Sequence, residues 1–133
     1  MNVKGQFEVS MKAEPPYDTR DGVTLARITL DKKFSGALEA TSVGQMTAAR
    51  TPVAESAGYV AIERVEGTLH GKRGSFILQH TGVSTRGMQS LSVTVVHDSA
   101  TGELTGLTGS MKIDMVEGKH FYDFEYLLPS PTG

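Results

Sequence analysis

The chain has 133 residues, of which 38% are hydrophobic and 21% charged, and its formal net charge at pH 7 is −2. This length suits one domain, spanning residues 1–133, with a hydrophobic core of its own. The chain has no cysteine, which excludes a disulfide framework, a thiolate zinc site and a cysteine nucleophile. The near-neutral charge offers no basic surface for nucleic acid and no polybasic membrane anchor, so we expect neither partner.

The N-terminal segment, residues 1–7, contains one cation and no apolar run of the kind found in secretory signals. No stretch of the chain approaches the roughly 18 apolar residues of a membrane span. We therefore expect a cytoplasmic location.

Hydrophobic and polar residues alternate along most of the chain, which is the period typical of half-buried strands. No segment predicts a helix, apart from a possible turn around residues 47–50. In chain order the alternation predicts eight strands, over residues 2–12, 23–31, 34–43, 57–70, 75–83, 88–97, 105–116 and 119–128.

The lengths of the predicted turns test whether the apolar faces of neighbouring strands coincide, because side chains alternate between the two faces of a strand. Turns at residues 31–33, 71–74, 84–87, 98–102 and 117–118 all place the apolar faces on the same side. The 117–118 turn pairs Met115 with His120, and the 71–74 turn places Glu63 opposite Gly82. We therefore expect a single apolar face and an interior that is not fully filled beside Glu63.

Eight antiparallel strands that share one apolar face predict an all-β, up-and-down barrel of the lipocalin-like kind, because an open sheet of eight would expose two edges. A two-sheet β-sandwich is the alternative. Two long connections, residues 13–22 and 44–56, leave the same end of the predicted barrel. Long loops often form binding walls, so we expect this long-loop end to be the mouth for a small apolar or amphipathic molecule.

Several apolar residues fall on the outer face of the predicted strands. Such a patch would suit a homo-oligomer interface, although scattered exposed apolar residues are also normal. The residues are Leu25, Val60, Ile62, Ile77, Phe121 and Leu127.

A few polar residues face inward on these strands, and all but the last are expected toward the long-loop end. They form the predicted ligand-binding set, Tyr59, Glu63, His80, His120, Tyr122 and Tyr126. Glu63 and His80 are diagonal neighbours within reach of each other. A carboxylate beside an imidazole in an apolar lining can act as an acid and base, so both are hypothetical catalytic residues.

Structural explanations compete with these roles. Glu63 could be half of a buried ion pair, His80 a satisfied core histidine, and the tyrosines barrel packing. The four histidines show no metal-ligand spacing, and no phosphate-binding or nucleophile motif is present, so we expect no metal and no cofactor.

Two motifs carry a family resemblance: Phe-x-Leu-Gln-His-x-Gly at residues 76–82 and Gly-Glu-Leu-x-Gly-Leu-x-Gly at residues 102–109. With their surroundings they cover about two thirds of the chain. This part resembles a bacterial domain-of-unknown-function family of small proteins with an allene oxide cyclase-like barrel fold. His97 and Asp98 stand where the family pattern has Pro-Gly.

The resemblance implies the barrel and no reaction. Plant allene oxide cyclases hold an apolar epoxide in such a barrel and use a glutamate there, which is only a fold analogy for Glu63. Three hypotheses follow: a module that binds a small molecule, a cofactor-free isomerase or cyclase using Glu63 and His80, and an oligomeric structural protein with a filled barrel and no site.

Overall fold

The computed structural model describes residues 1–129 as a nearly continuous succession of strands. The strands are β1 (Asn2–Ala13), β2 (Asp18–Arg20), β3 (Val23–Gly36), β4 (Leu38–Arg50), β5 (Ala57–Leu69), β6 (Lys72–Thr85), β7 (Met88–Val95), β8 (Thr108–Val116) and β9 (Lys119–Leu127). One turn of 3-10 helix at Gly102–Leu104 precedes β8. Residues 1–129 contain no helix with the length and hydrophobicity that a membrane span requires.

All pairings in the sheet are antiparallel, and the sheet closes on itself. The strand order is β1-β9-β8-β7-β6-β5-β4-β3-β2, and β1 also pairs with β3. Eight strands therefore form a barrel, while the short β2 pairs with β3 at the rim. The predicted all-β barrel is confirmed, and the sandwich alternative is wrong because closure leaves a single sheet.

Four hairpins turn through a pair of residues that both have positive φ: Asp21–Gly22, His70–Gly71, Arg86–Gly87 and Glu117–Gly118. Such two-residue turns match the right-handed twist of the strands they join. The predicted 117–118 turn is confirmed, with Met115 paired to His120. The predicted four-residue turns at 71–74 and 84–87 are wrong, but the registers differ by an even number of residues, so the predicted faces survive.

The charged segment at residues 31–33 is not a turn. It lies within β3, which continues to Gly36, and the chain reverses at Ala37. Lys32 breaks the apolar alternation because its buried charge occupies an inner position between Leu30 and Phe34. The turn expected around residues 47–50 is also wrong, since β4 runs to Arg50 and leaves only residues 51–56 as a loop.

The two ends of the barrel differ. The open end carries the connections 14–22, 51–56, 86–87 and 117–118, and the closed end carries 37, 70–71 and 96–107. The short loop predicted at 98–102 is in fact this longer 96–107 connection, which folds back into the barrel. Its Leu104 and Leu107 are 1% and 0% exposed and fill the closed end.

Large side chains pack the closed half of the barrel, including Phe34, Phe76, Phe124 and Tyr122. The Tyr122 hydroxyl accepts a hydrogen bond from the Leu38 amide at 3.1 Å and lies 2.9 Å from the Ser35 carbonyl, to which it donates. These bonds tie β9 to the reversal between β3 and β4. The closed half is therefore a filled core.

One seam of the barrel is weakly joined. The β7–β8 ladder has a single rung, Thr94 opposite Ser110, whereas β6–β7 pairs along the whole of β7. Met88, near the start of β7, is 79% exposed. The wall is thus split between β7 and β8 toward the open end.

The apolar residues predicted on the outer face vary in exposure. Val60, Ile62 and Leu127 are at least half exposed. Leu25, Ile77 and Phe121 are half-buried. Assembly into a homo-oligomer stays a prediction.

Candidate functional site

A cluster of polar side chains lies inside the barrel around Glu63, which is 1% exposed. Its Oε1 accepts hydrogen bonds from Lys32 Nζ at 3.2 Å and from His80 Nε2 at 3.1 Å. Its Oε2 accepts one from Ser42 Oγ at 3.1 Å and lies 3.2 Å from Lys32 Nζ. We call these four residues, Lys32, Ser42, Glu63 and His80, the polar cluster.

The strand registers bring the polar cluster together. Lys32 pairs with Ser42 across β3 and β4, and Gly44 pairs with Glu63 across β4 and β5. A Cβ on Gly44 would lie 2.6 Å from the Cβ of Glu63, so only glycine leaves room for the glutamate there. The next strand, β6, supplies His80.

Glu63 and His80 are diagonal neighbours, as the alternation predicts, but in a different register. Glu63 lies opposite Leu78, and His80 lies opposite Ala61. The predicted pairing of Glu63 with Gly82 is therefore wrong, because the β5–β6 turn is two residues long. Their side chains still meet, since the register change leaves both on the inner face.

The electrostatics of the polar cluster favour an ionised Glu63. Burial by itself would raise the pKa of this carboxyl, but the hydrogen bond from His80 and the positive charge of Lys32 outweigh it. The pKa of Glu63 consequently lies below its ordinary value of 4.5. Lys32 also lies over the Phe7 ring, with Nζ 5.1 Å from its centroid.

The open end of the barrel contains a cavity of about 430 Å³, which we call the cup. Its lining is mainly apolar, and Arg50 is the single charged residue among the residues of 1–129 that line it. Residues from six strands form its wall, among them Met11, Ile28, Met46, Ala48, Tyr59, Gly82 and Leu91. The cup is therefore on the side predicted for the mouth.

Tyr59 and Gly82 pack against each other in the wall of the cup. They are paired across β5 and β6, and a Cβ on Gly82 would lie 2.2 Å from Cε1 of Tyr59. The expectation that Gly82 leaves space beside Glu63 is thus wrong, because the tyrosine ring occupies that space. Burial raises the pKa of the Tyr59 hydroxyl.

The other predicted site residues lie away from the cup. Tyr122 and Tyr126 are at the closed end, where the Tyr126 hydroxyl lies 2.9 Å from Nδ1 of His70. The expected position of Tyr122 near the long-loop end is wrong, because β9 pairs with the first half of β1, where Tyr122 lies opposite Gly5.

His120 is half-buried and packs on Phe7, with ring centroids 5.1 Å apart. It lines a separate hollow of about 570 Å³ beside β1 and the β8–β9 turn. His120 is therefore part of neither the cup nor the polar cluster.

Two members of the polar cluster, Lys32 and Ser42, are absent from the predicted set. The alternation of apolar residues could have identified both as inward-facing. Lys32 has the same parity as Leu30 and Phe34, and Ser42 has the same parity as Leu38 and Ala40. Within residues 1–129 no group of three or more His, Asp or Glu side chains is arranged to hold a metal ion.

Known proteins similar to this chain agree with the fold. A crystal structure of a protein with unknown function from the DUF3224 family, from the bacterium Shewanella oneidensis MR-1, is 49% identical to this chain. The two superpose with a TM-score of 0.93 over 98% of each chain. No curated protein matches the chain. The family model described as protein of unknown function (DUF3224) matches residues 3–126, and the chain therefore belongs to the DUF3224 family.

Proposed function

We propose that this small β-barrel protein binds a small, mostly apolar molecule in the cup. The observation that carries the proposal is the cup itself, an apolar cavity of about 430 Å³ that opens at one end of an otherwise packed barrel. Binding sites for small molecules commonly have volumes of roughly 300–1,000 Å³ and mainly apolar linings. A cavity of this size counts against a filled barrel without a site.

The polar cluster supports the proposal by supplying a fixed polar floor below the cup. His80 occupies the position next to Gly82 on the inner face of β6, and Gly82 lines the cup. Both oxygens of Glu63 are occupied by protein donors, and its side chain is 0% exposed. Glu63 therefore has no free acceptor for a bound molecule, and its influence on one would pass through His80, which is one inner position from the lining residue Gly82.

Fluorescence of N-phenyl-1-naphthylamine, a neutral apolar probe that becomes bright in apolar surroundings, tests this function. We expect the wild type to bind it saturably with one site per chain. Ala48→Phe fills the cup with a ring and should weaken binding at least about tenfold. Thr47→Phe adds the same ring at the adjacent, exposed position on the outer face and should leave affinity within about twofold.

The outcomes of this experiment separate the hypotheses. No saturable binding by the wild type would overturn the proposed function. Equal binding by Ala48→Phe and the wild type would place the probe outside the cup and would also overturn it. Thermal unfolding of both variants is the check that each one still folds into the barrel with the added ring.

Proton transfer is a second candidate function, in line with the isomerase or cyclase hypothesis. What favours it is the hydrogen bond from His80 to the Glu63 carboxylate, an arrangement that can orient an imidazole as a base. In this function His80 is the catalytic residue, and Glu63 holds its ring in place.

The substrate 5-nitrobenzisoxazole tests this candidate because it reports a base in an apolar cavity. His80 would take the ring C–H proton while the N–O bond breaks, giving the coloured 2-cyano-4-nitrophenolate. We expect the reaction to be faster than with free imidazole at equal concentration and to slow at least about tenfold in His80→Gln. A rate unaffected by His80→Gln would eliminate this function. Cytoplasmic location stays a prediction.

A further inference from the structure

Two rows of opposite charges lie on the outer surface of the barrel, on either side of β4. In the first row, nearer the closed end, β3 supplies Lys33 and β5 supplies Glu66, with Thr41 between them. In the second row, β3 supplies Asp31 and β5 supplies Arg64. The sign of the charge therefore reverses both across β4 and along the neighbouring strands. We call this surface the β4 face, and its residues are Asp31, Lys33, Thr41, Val43, Arg64 and Glu66.

The four charged side chains of the β4 face are exposed and form no ion pair with another side chain of residues 1–129. Elsewhere on the surface such pairs do form. Arg27 of β3, for example, lies 3.2 Å from Glu14. The charges of the β4 face are therefore available to a partner.

The β4 face has an uneven surface with an apolar centre. A shallow hollow of about 260 Å³ lies along the first row, and another of about 560 Å³ lies along the second. Val43 lies between the charges of the second row, and Ile62 lines the same hollow. These two side chains are 61% and 50% exposed. Exposed apolar side chains flanked by charges are typical of an interface, which has an apolar core and a polar rim.

A second copy of the chain complements the charges of the β4 face. Rotation by a half turn about an axis parallel to β4 sets β4 against β4 and places β3 opposite β5 of the other copy. Asp31 then faces Arg64 of the partner subunit. Lys33 likewise faces Glu66 of the partner subunit. Each contact occurs twice, because a two-fold interface uses the same patch on both copies.

The apolar centre favours this axis over a second two-fold arrangement. The axis parallel to β4 places Val43 against Val43 of the partner subunit, so that exposed apolar surface is buried at the centre. An axis across the strands, between the two rows, would also bring opposite charges together, but it would set Val43 against Thr41. Since burial of apolar surface is the main favourable term in association, the parallel axis is the better arrangement.

We propose that two copies of this chain form a dimer through the β4 face, about a two-fold axis parallel to β4. Sheets that pack face to face are about 10 Å apart. The facing pairs can span such a gap because each joins an acid to a long basic side chain, Lys33 or Arg64. The β4 face lies outside the barrel, so the dimer is independent of ligand binding in the cup.

Sedimentation equilibrium of the full chain tests this assembly. We expect the wild type to reach twice the chain mass of 14.3 kDa. Asp31→Arg and Arg64→Glu each set like charges against each other twice, so each should raise the dissociation constant at least about tenfold. Lys112→Glu makes the same change of charge as Arg64→Glu but lies on β8, four strands away from β4. This control should leave the dissociation constant within about twofold.

An equimolar mixture of the two weakened variants tests the axis itself. In a mixed dimer, the side chains introduced by Asp31→Arg and Arg64→Glu face each other, and the unchanged Arg64 faces the unchanged Asp31. The mixture should therefore dimerise about as tightly as the wild type, and so should the double variant Asp31→Arg/Arg64→Glu. Both positions are exposed, and circular dichroism is the check that each variant keeps its strands.

The remaining outcomes overturn the proposal. A wild type that stays monomeric throughout the concentration range excludes the dimer. A dimer unaffected by Asp31→Arg and Arg64→Glu uses another surface. Rescue of Asp31→Arg by Lys33→Glu, and not by Arg64→Glu, would replace the parallel axis with the axis across the strands.

Discussion

Lys32 and Glu63 form an ion pair inside the barrel, with the Lys32 ammonium nitrogen 3.2 Å from each carboxylate oxygen of Glu63. Breaking such a pair leaves a buried charge without compensation, which typically costs about 3–5 kcal/mol. We expect Lys32→Met and Glu63→Leu each to lower the free energy of unfolding by about that amount. The double variant should be less destabilised than the sum of the two, because no lone charge remains.

Urea unfolding followed by circular dichroism measures these changes. The exposed pair between Arg27 and Glu14 is the control, since its side chains are 55% and 41% exposed. Glu14→Gln should cost less than about 1 kcal/mol. A cost for Lys32→Met no larger than that for Glu14→Gln would show that the buried pair contributes nothing specific.

The pH dependence of stability should report Glu63. Its pKa is lower in the folded protein than the ordinary value of 4.5, because His80 and Lys32 stabilise the carboxylate against the effect of burial. A carboxyl of this kind stabilises the fold fully above its unfolded pKa, and the contribution is lost as the pH falls below about 4.5 through the folded pKa. We expect the unfolding free energy to fall over this acidic range.

The double variant Lys32→Met/Glu63→Leu serves as the control for the pH experiment, since it lacks the carboxyl but keeps the exposed acids. Its unfolding free energy should decline less steeply with falling pH than that of the wild type. Parallel pH profiles for the two proteins would mean that the exposed acids alone govern the acid response.

Gly82 should be intolerant of any side chain. A Cβ at this position would lie 2.2 Å from Cε1 of Tyr59, which forms the wall of the cup. Overpacking of this kind typically costs about 1–3 kcal/mol, so Gly82→Ala should be destabilised by that amount in urea unfolding. Gly58 is the matched control, because its added Cβ would meet only the Gly82 carbonyl oxygen, at 3.8 Å.

Gly58→Ala should therefore be neutral or slightly stabilising, since alanine restricts the unfolded chain. Tyr59→Leu, which removes the ring, should rescue part of the loss in Gly82→Ala. Equal effects of Gly82→Ala and Gly58→Ala would contradict the packing of Tyr59 on Gly82.

Much of the barrel can be predicted from alternation alone, because side chains alternate strictly along a strand. The inner positions of Glu63 and His80 follow from it, and the pairing of Met115 with His120 follows from the two-residue turn at 117–118. The prediction fails where a contact between residues distant in sequence determines the local structure. A buried Lys32 looks like part of a turn because its partner Glu63 is 31 residues away in sequence.

Two further errors have local causes. His70–Gly71 and Arg86–Gly87 form two-residue turns without the Asn or Asp that usually identifies the first position. The filling of the closed end by Leu104 and Leu107 depends on the path of the 96–107 connection, which has no periodic signal. The sequence predicts the location of the cup, as the mouth of the barrel, but not its volume. That volume depends on how far the Tyr59 ring extends across Gly82.

The seam between β7 and β8 should be the first part of the barrel to exchange amide hydrogens. Its ladder has one rung, at Thr94 and Ser110, whereas β5 and β6 are paired along nearly their whole length. Amides of residues 88–93 that point away from β6 have no ladder partner and should exchange at least about 100-fold faster than those of residues 61–65. Hydrogen exchange followed by NMR measures both sets in one sample, with the amides of β7 that bond to β6 as the internal control. Equal protection of the two edges of β7 would show that β7 and β8 are closed in solution, and the wall of the cup would then be continuous on that side.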